Sequence, residues 1–377
     1  MGEGTDRATV MMIAGKAESL ISTRVVVAMS GGVDSSLAAA LLVEQGHEVI
    51  GIMMRLWAEE GAVNRCCSPK AVEDARRVCQ ILDIPFYLVN CEREFKTRVL
   101  DYFVREYARG RTPNPCLACN RHIKFGSLLK RALALGARHL ATGHYARVQR
   151  VDDGYQLLKG VDRRKDQSYF LYMLGQEELA HLFFPLGGYT KGEVRTLARE
   201  RGLPVAEKAE SQDLCFTSDY RSFLQLHAPE AIRSGRILDT NGRVLGEHKG
   251  LPLYTIGQRK GLGIAAPEAL YVLKIEVSQN EIVVGTGAEL GKRDLRAEGV
   301  SFVSGRAPEG ASEVTAKIRR EGTETSAILT SLDKDRIDLV FPKPLRDITP
   351  GQGVVFYQDE IVLGGGIIAS LDGRQSS

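Results

Sequence analysis

Ser30-Gly31-Gly32-Val33-Asp34-Ser35-Ser36 sets two glycines, a carboxylate and several hydroxyls between a short apolar run and a helix-forming stretch. Such a turn makes an anion site. The first amides of a helix have no partner inside it and point at the turn, and the helix dipole adds partial positive charge there. Glycines let the backbone approach an anion closely, and Ser30, Ser35 and Ser36 add donors. No lysine follows the second glycine, so this is not the Walker pattern. In an isolated Gly-Gly turn, Asp34 or Ser35 merely capping the helix would be the plainer reading. The full string after a buried-type strand favours phosphate.

Thiols are the second reactive group. Seven cysteines are too few for a disulfide scaffold in a chain of this length. Cys116 and Cys119 lie in GRTPNPCLACNRHIKF. The prolines extend that loop, and the Cys-x-x-Cys spacing lets two sulfurs face one point. No second such pair and no paired histidines complete a zinc site. Cys215, in ESQDLCFTSDY, is the nearest third candidate. Three cysteines can hold a cluster with one open iron; two can run persulfide and disulfide chemistry. Cys66, Cys67, Cys79 and Cys91 read as small apolar fillers or incidental thiols.

The elements that must position these groups change character along the chain. Strands at Val25–Met29, Glu48–Met54, Phe86–Asn90 and His139–Thr142 alternate with helices at Val33–Gln45, Pro69–Leu82, Glu92–Ala108 and Ile123–Leu135. The helix after the glycine turn reads as amphipathic, and 110–120 as a Pro/Cys-rich loop. Alternation of this kind means a parallel sheet covered on both faces. Further helices fit Lys191–Arg201 and Asp219–Leu226. Past residue 230 the chain turns to short strands with Gly/Asn/Asp turns, including a hairpin around Asn241-Gly242. After about residue 290 it is nearly all strand, as in a small β-barrel or sandwich. The division expected is a loose extension over 1–22, an α/β domain over 23–228, a central mostly-β domain over 229–290 and a barrel over 291–377. Hydrophobic content of 44% and charged content of 26% are those of a soluble globular protein. No apolar run approaches the ~20 residues that span a bilayer. The N-terminus lacks a secretory signal's apolar stretch, so a cytoplasmic protein is expected, with no membrane partner. A net charge of +3 is too mild to identify a nucleic-acid partner.

The glycine turn resembles the PP-loop of the ATP pyrophosphatases. That resemblance implies that ATP is held by its β and γ phosphates, leaving the α phosphorus open to attack, with Asp34 as the Mg²⁺ partner. It implies an adenine-nucleotide α-hydrolase-like sheet, with ATP contacts from Ala28, Met29, Ser30, Gly31, Gly32, Val33, Asp34, Ser35, Met54 and Gly143. The last two fall where the crevice at the strand C-termini should open. An adenylating site together with distant thiols suits one scheme. A pyrimidine carbonyl oxygen is adenylated, a persulfide sulfur displaces AMP, and a second cysteine frees the sulfur.

MSGGVDSS, GRTPNPC..CN..IKF, ATGHYAR, KDQSYFLY, ESQDLCF, TIGQRKGLGI and PGQGVVFY, spread over nearly the whole chain, together resemble the bacterial tRNA-uridine 2-sulfurtransferases. The resemblance implies 2-thiolation of the wobble uridine of tRNA, a C-terminal barrel that touches tRNA, and sulfur delivery by a cysteine desulfurase and sulfur carriers. By position, it makes Cys119 the nucleophile and Cys215 the persulfide carrier. Asn114, Pro115 and Cys116 line the target base. His144, Lys165, Asp166, Gln167, Arg319, Arg320 and Gln352 contact tRNA. The residue types suit those jobs: cations meet phosphate, and an amide such as Asn114 reads the edge of an unstacked base. Read alone, Arg163-Arg164-Lys165 would be a solvated charge run. Many members carry Asp where this chain has Cys116. A third thiol here keeps a [4Fe–4S] cluster on Cys116, Cys119 and Cys215 as an alternative to persulfide chemistry. The competing function is a different PP-loop enzyme that adenylates another tRNA base or a small metabolite.

Overall fold

The computed structural model describes residues 22–57, 68–209, 214–217, 219–346 and 348–370. Cys66, Cys67 and all but the last residue of the expected N-terminal extension lie outside them.

The N-terminal layer is a five-stranded parallel sheet. Its strands are β1 (Arg24–Met29), β2 (Glu48–Arg55), β3 (Phe86–Asn90), β4 (His139–Ala141) and, later in the chain, β7 (Leu182–Phe183). They run in the spatial order β3-β2-β1-β4-β7. The order reverses between β1 and β4, and ligands bind at such switch points beyond the strand C-termini. Val25, Val26 and Val27 of β1 are fully buried because helices cover both faces. Helix α1 (Val33–Glu44) corrects one expectation: it is not amphipathic. Val33 and every residue from Ser35 to Leu42 are buried. The sheet takes one side of α1, and the helix Lys191–Glu200 packs on it as well. Helix α2 (Pro69–Ile81) starts from a Ser68 cap with proline at its first position.

A hairpin not anticipated in this half, β5 (Ala146–Val151) and β6 (Gly154–Lys159), leaves the parallel sheet behind. It pairs through Leu158 with Ile361 of the C-terminal sheet. The central unit has strands β8 (Gly235–Leu238), β9 (Val244–His248), β10 (Tyr271–Glu276) and β11 (Glu281–Gly285), ordered β10-β11-β8-β9. The β8–β9 pair is antiparallel around Gly242 at φ 80°, as the Asn-Gly signal predicts. Strands β12 (Lys292–Phe302), β13 (Ala311–Lys317), β14 (Thr325–Ser331), β15 (Ile337–Leu345), β16 (Gly353–Gln358) and β17 (Ile361–Ile368) follow. Pairing of β12 with β17 closes them into a barrel. Buried Lys159 pins the hairpin to it: its ammonium lies 2.7 Å from Glu324 and 4.4 Å from the centre of the Tyr357 ring.

At the sheet edge away from the glycine turn, His139 stacks on Phe183 with centroids 4.0 Å apart. Burial, aided by Arg138, His181 and His47, pushes its pKa down to about 4. The folded protein therefore refuses a proton that the unfolded chain accepts near pH 6.5. Stability falls as pH drops below 6.5 and levels off near 4. The expected loss is about 2 kcal/mol, discounted because the ring is only half-buried. Urea unfolding at pH 7 and pH 4.5 checks this, and His139→Phe should flatten that part of the pH dependence.

Candidate active site

The glycine turn joins β1 to α1, at the switch point of the sheet. Gly31 has φ 69°, and a Cβ there would stand 2.2 Å from the Ala71 carbonyl oxygen, so α2 packs on bare backbone. The Ser35 hydroxyl accepts from the Ser30 amide at 3.1 Å, and the Ser36 hydroxyl donates to the Gly32 carbonyl at 2.8 Å. Lys208 ties the loop from outside, donating to the Gly31 carbonyl at 2.8 Å and pairing with Asp74 at 2.6 Å. Gly143 presses on the start of α1, where a Cβ would come within 2.8 Å of the Ser35 nitrogen. The Asp34 carboxylate accepts from the Tyr145 hydroxyl at 2.7 Å and from the Lys191 ammonium at 2.7 and 2.8 Å. Its side chain is 32% exposed. A partly exposed carboxylate inside a phosphate cradle fits Mg²⁺, which takes one or two carboxylates and completes its shell with phosphate oxygens and water.

The thiol loop departs from expectation. A helix begins at Pro115, capped by the Asn114 side chain, which accepts from the Cys116 amide at 3.1 Å. It continues to residue 134 through a wide π-type stretch, Asn120–Leu128, a feature frequent at functional sites. The Cys-x-x-Cys pair therefore lies on the first turn of a helix, with only 110–114 as loop. Cys116 is exposed, and Cys119 is buried at 9% exposure. Cys119 belongs to an apolar cluster with Phe95, Phe103, Ile123 and Phe216, and half-buried Cys215 packs against the same cluster. The structure thus brings Cys119 and Cys215 to one cluster.

Over it opens a cavity of about 540 Å³. Asn114, Pro115, Cys116, His144, Gln167, Arg320 and Gln352 all line it, with Phe170, Tyr107, Tyr220, Lys124 and Leu214. Sequence reasoning missed this second set: each is an ordinary aromatic, apolar or basic residue whose role depends on where the fold puts it. The Arg320 guanidinium lies 5.7 Å from the Phe170 ring centre, and Tyr107 stacks on Tyr220. Flat rings and a guanidinium plane are what an unstacked base needs. His144 is buried, with Nδ1 2.7 Å from the Thr142 hydroxyl. Burial, with Lys124 nearby, holds its pKa well below the ordinary value, so it offers a neutral ring.

Residues 165–167 divide. Gln167 accepts from the Tyr145 amide at 3.0 Å and reaches the cavity. Asp166 accepts from the Gly160 amide at 2.9 Å and the Ser168 hydroxyl at 2.9 Å, binding its own turn. Lys165 is half-buried and Arg319 exposed, and neither lines the cavity. Among the described residues, no three His, Cys, Asp or Glu side chains gather as a metal site requires. Cys116, Cys119 and Cys215 form no such three-ligand group.

All three parts of the fold meet at the thiol loop. The Thr112 amide donates to the Pro350 carbonyl at 2.8 Å, and Gln352 donates to the Thr112 carbonyl at 2.8 Å. The Thr112 hydroxyl lies 3.2 Å from that of Thr255 in the central unit. Arg111 pairs with Glu106 beneath it and with Glu298 of the barrel.

A parallel sheet with a PP-loop at its switch point, beside a thiol-bearing pocket, defines a nucleotide-using α/β enzyme of the HUP class. Domain models described as tRNA methyl transferase HUP domain, tRNA methyl transferase PRC-barrel domain and aminomethyltransferase beta-barrel domain match residues 23–219, 221–286 and 292–368. The tRNA-specific 2-thiouridylase MnmA of Roseiflexus castenholzii is 51% identical over 368 residues, covering 92% of this chain and 99% of that protein. The protein of the same name from Moorella thermoacetica is 52% identical over 353 residues, covering 92% and 99%. The chain belongs to the tRNA-specific 2-thiouridylase family. No helix among the described residues is long and apolar enough to cross a membrane.

Proposed function

We propose that this protein is a tRNA-uridine 2-sulfurtransferase that uses ATP to replace the C2 oxygen of the wobble uridine by sulfur. One observation carries the reading: three consecutive residues bridge the two sites. Gly143 and Tyr145 touch Asp34 of the PP-loop, while His144 between them lines the thiol pocket. A base in that pocket therefore lies beside the nucleotide.

The PP-loop amides and serines bind the β and γ phosphates. The turn's backbone from Ala28 to Ser35, with Met54 and Gly143, encloses the rest of the nucleotide. Asp34 would hold Mg²⁺, which when bound would neutralise charge on the phosphates. The uridine O2 attacks the α phosphorus, the bond to the β-phosphate oxygen breaks, and pyrophosphate leaves with its electron pair. The terminal sulfur of a Cys215 persulfide then attacks C2, and AMP leaves with the oxygen. Cys119 attacks the Cys215 sulfur, forming a Cys119–Cys215 disulfide and releasing 2-thiouridine. A dithiol reductant restores both thiols, and a cysteine desulfurase with sulfur carriers supplies the next persulfide. Asn114, Pro115, Cys116 and Gln167 enclose the base. Phe170 stacks on it, backed by Arg320, and His144 and Gln352 donate or accept at its edges. Lys165 and Arg319 meet phosphates, while Asp166 shapes the turn that carries Gln167. In this scheme the domains divide at 228 and 290, with the barrel clamping the thiol loop.

The methyl-transfer wording of the matching domain models suits the site less well. Methyl transfer expels no pyrophosphate, and so gives an anion cradle at a helix N-terminus no leaving group to hold. The deciding experiment is incubation of purified protein with ATP, Mg²⁺, a persulfide donor and unmodified tRNA. We expect pyrophosphate, AMP and 2-thiouridine at position 34, measured by nucleoside mass spectrometry. Pyrophosphate without thiolated uridine would point to the competing PP-loop activity. A visible charge-transfer spectrum in anaerobically purified protein, lost together with activity, would replace the persulfide scheme by a cluster.

A further inference from the structure

Release of pyrophosphate leaves several negative charges to neutralise, and the PP-loop has no lysine of its own. The fold brings one from another part of the chain. Lys191 is the first residue of the helix Lys191–Glu200 and is buried at 9% exposure. Its ammonium reaches both Asp34 oxygens, at 2.7 and 2.8 Å, and lies 5.7 Å from the centre of the Tyr145 ring. Its backbone is fixed. The amide donates to Asp162 at 3.0 Å, and Thr190 with Glu193 forms a reciprocal cap on the helix. A largely buried ion pair is a weak device for stability, because desolvation offsets most of the attraction. One whose carboxylate opens onto an anion cradle can exchange partners instead.

We propose that Lys191 is an ATP-phosphate ligand. On entry of the nucleotide with its cation, Asp34 gives up its ammonium partner for the metal, and Lys191 turns to the pyrophosphate oxygens. There it stabilises the charge that develops as the bond to the α phosphorus breaks. Tyr145 stays on Asp34 and keeps the carboxylate oriented through the exchange. The inference rests on the reading of the turn as an ATP site and adds to it the cation that the loop lacks.

The test compares wild type, Lys191→Met and Lys191→Arg. Pyrophosphate release is followed with ATP and tRNA, binding of inorganic pyrophosphate with Mg²⁺ by calorimetry, and thermal unfolding without ligand. Lys191→Met should lower kcat about 100-fold or more and weaken pyrophosphate binding about 10-fold, and Lys191→Arg should restore part of both. A Lys191→Met protein that turns over within about threefold of wild type overturns the proposal. So does one that loses only thermal stability while pyrophosphate binding is unchanged. If Lys191→Met does not fold, wild-type protein labelled at the lysine nitrogens decides. Its Lys191 ammonium signal should shift on addition of pyrophosphate with Mg²⁺, and a signal that stays put refutes the exchange. Wild type that forms no pyrophosphate would instead strike the reading of the site itself.

Discussion

Cys119→Ser and Cys215→Ser should each lower 2-thiouridine formation on the order of 10³-fold or more, while ATP-dependent pyrophosphate release continues. The separation follows from the layout. The thiols sit in and against one aromatic cluster under the base pocket, while the PP-loop is built from β1, α1 and its neighbours. A serine in place of either thiol leaves the phosphate cradle intact and removes a sulfur from the relay. Cys116→Ser discriminates further. Cys116 is exposed on the pocket wall one helical turn from Cys119, and the persulfide scheme assigns it contact with the base. Its serine variant should keep activity within about tenfold of wild type, whereas a three-cysteine cluster would lose everything. Because Cys119 is buried, thermal unfolding must accompany the assay. Thiolation surviving in both the Cys119 and the Cys215 variants would refute the assignment.

How much of this was legible before folding depended on whether a feature was local. Buried parallel strands appear as unbroken apolar runs between turns, so Val25 to Met29 and its partners could be read directly. The PP-loop is contiguous, and its hydroxyls and glycines carry their own chemistry. Asn114-Pro115 was also a local signal, a cap followed by proline at the first helical position, but the neighbouring Pro113 made the stretch look like extended loop. The β5–β6 hairpin carried a cue in Asp153-Gly154; the alternating α/β pattern around it masked the cue, and nothing local shows that its partner is β17. The even burial of α1 could not be read either, because its second cover arrives with the helix at Lys191–Glu200. For the same reason Lys191 was invisible: it meets Asp34 across 157 residues of chain. Cys119 and Cys215 were recognisable as reactive candidates, yet their shared cluster is a product of tertiary packing around Phe103 and Phe216.

Gly31→Ala is the second large effect, and it isolates the PP-loop from the rest of the fold. At φ 69° an alanine is strained by about 1–2 kcal/mol wherever it lies. At this position its methyl would also stand 2.2 Å from the Ala71 carbonyl oxygen, which is backbone and cannot swing away. Either α2 or the turn must move. The turn is the weaker party, since it is held mainly by side-chain bonds, Ser30–Ser35, Ser36–Gly32 and Lys208–Gly31, with one long backbone bond from the Ser36 amide to the Gly32 carbonyl. Displacing it takes the phosphate amides off target, and misplacement of about 1 Å in a positioned site costs about 100-fold in rate. Gly46→Ala is the matched control. It has φ 82° but open space around it, at the far end of α1. It should lose the same strain energy in denaturant unfolding and leave pyrophosphate release unchanged. If Gly31→Ala behaved like Gly46→Ala in both measurements, the close approach of α2 to the loop would have no part in holding ATP. The anion-cradle account of Ser30 to Ser36 would then lose its structural basis.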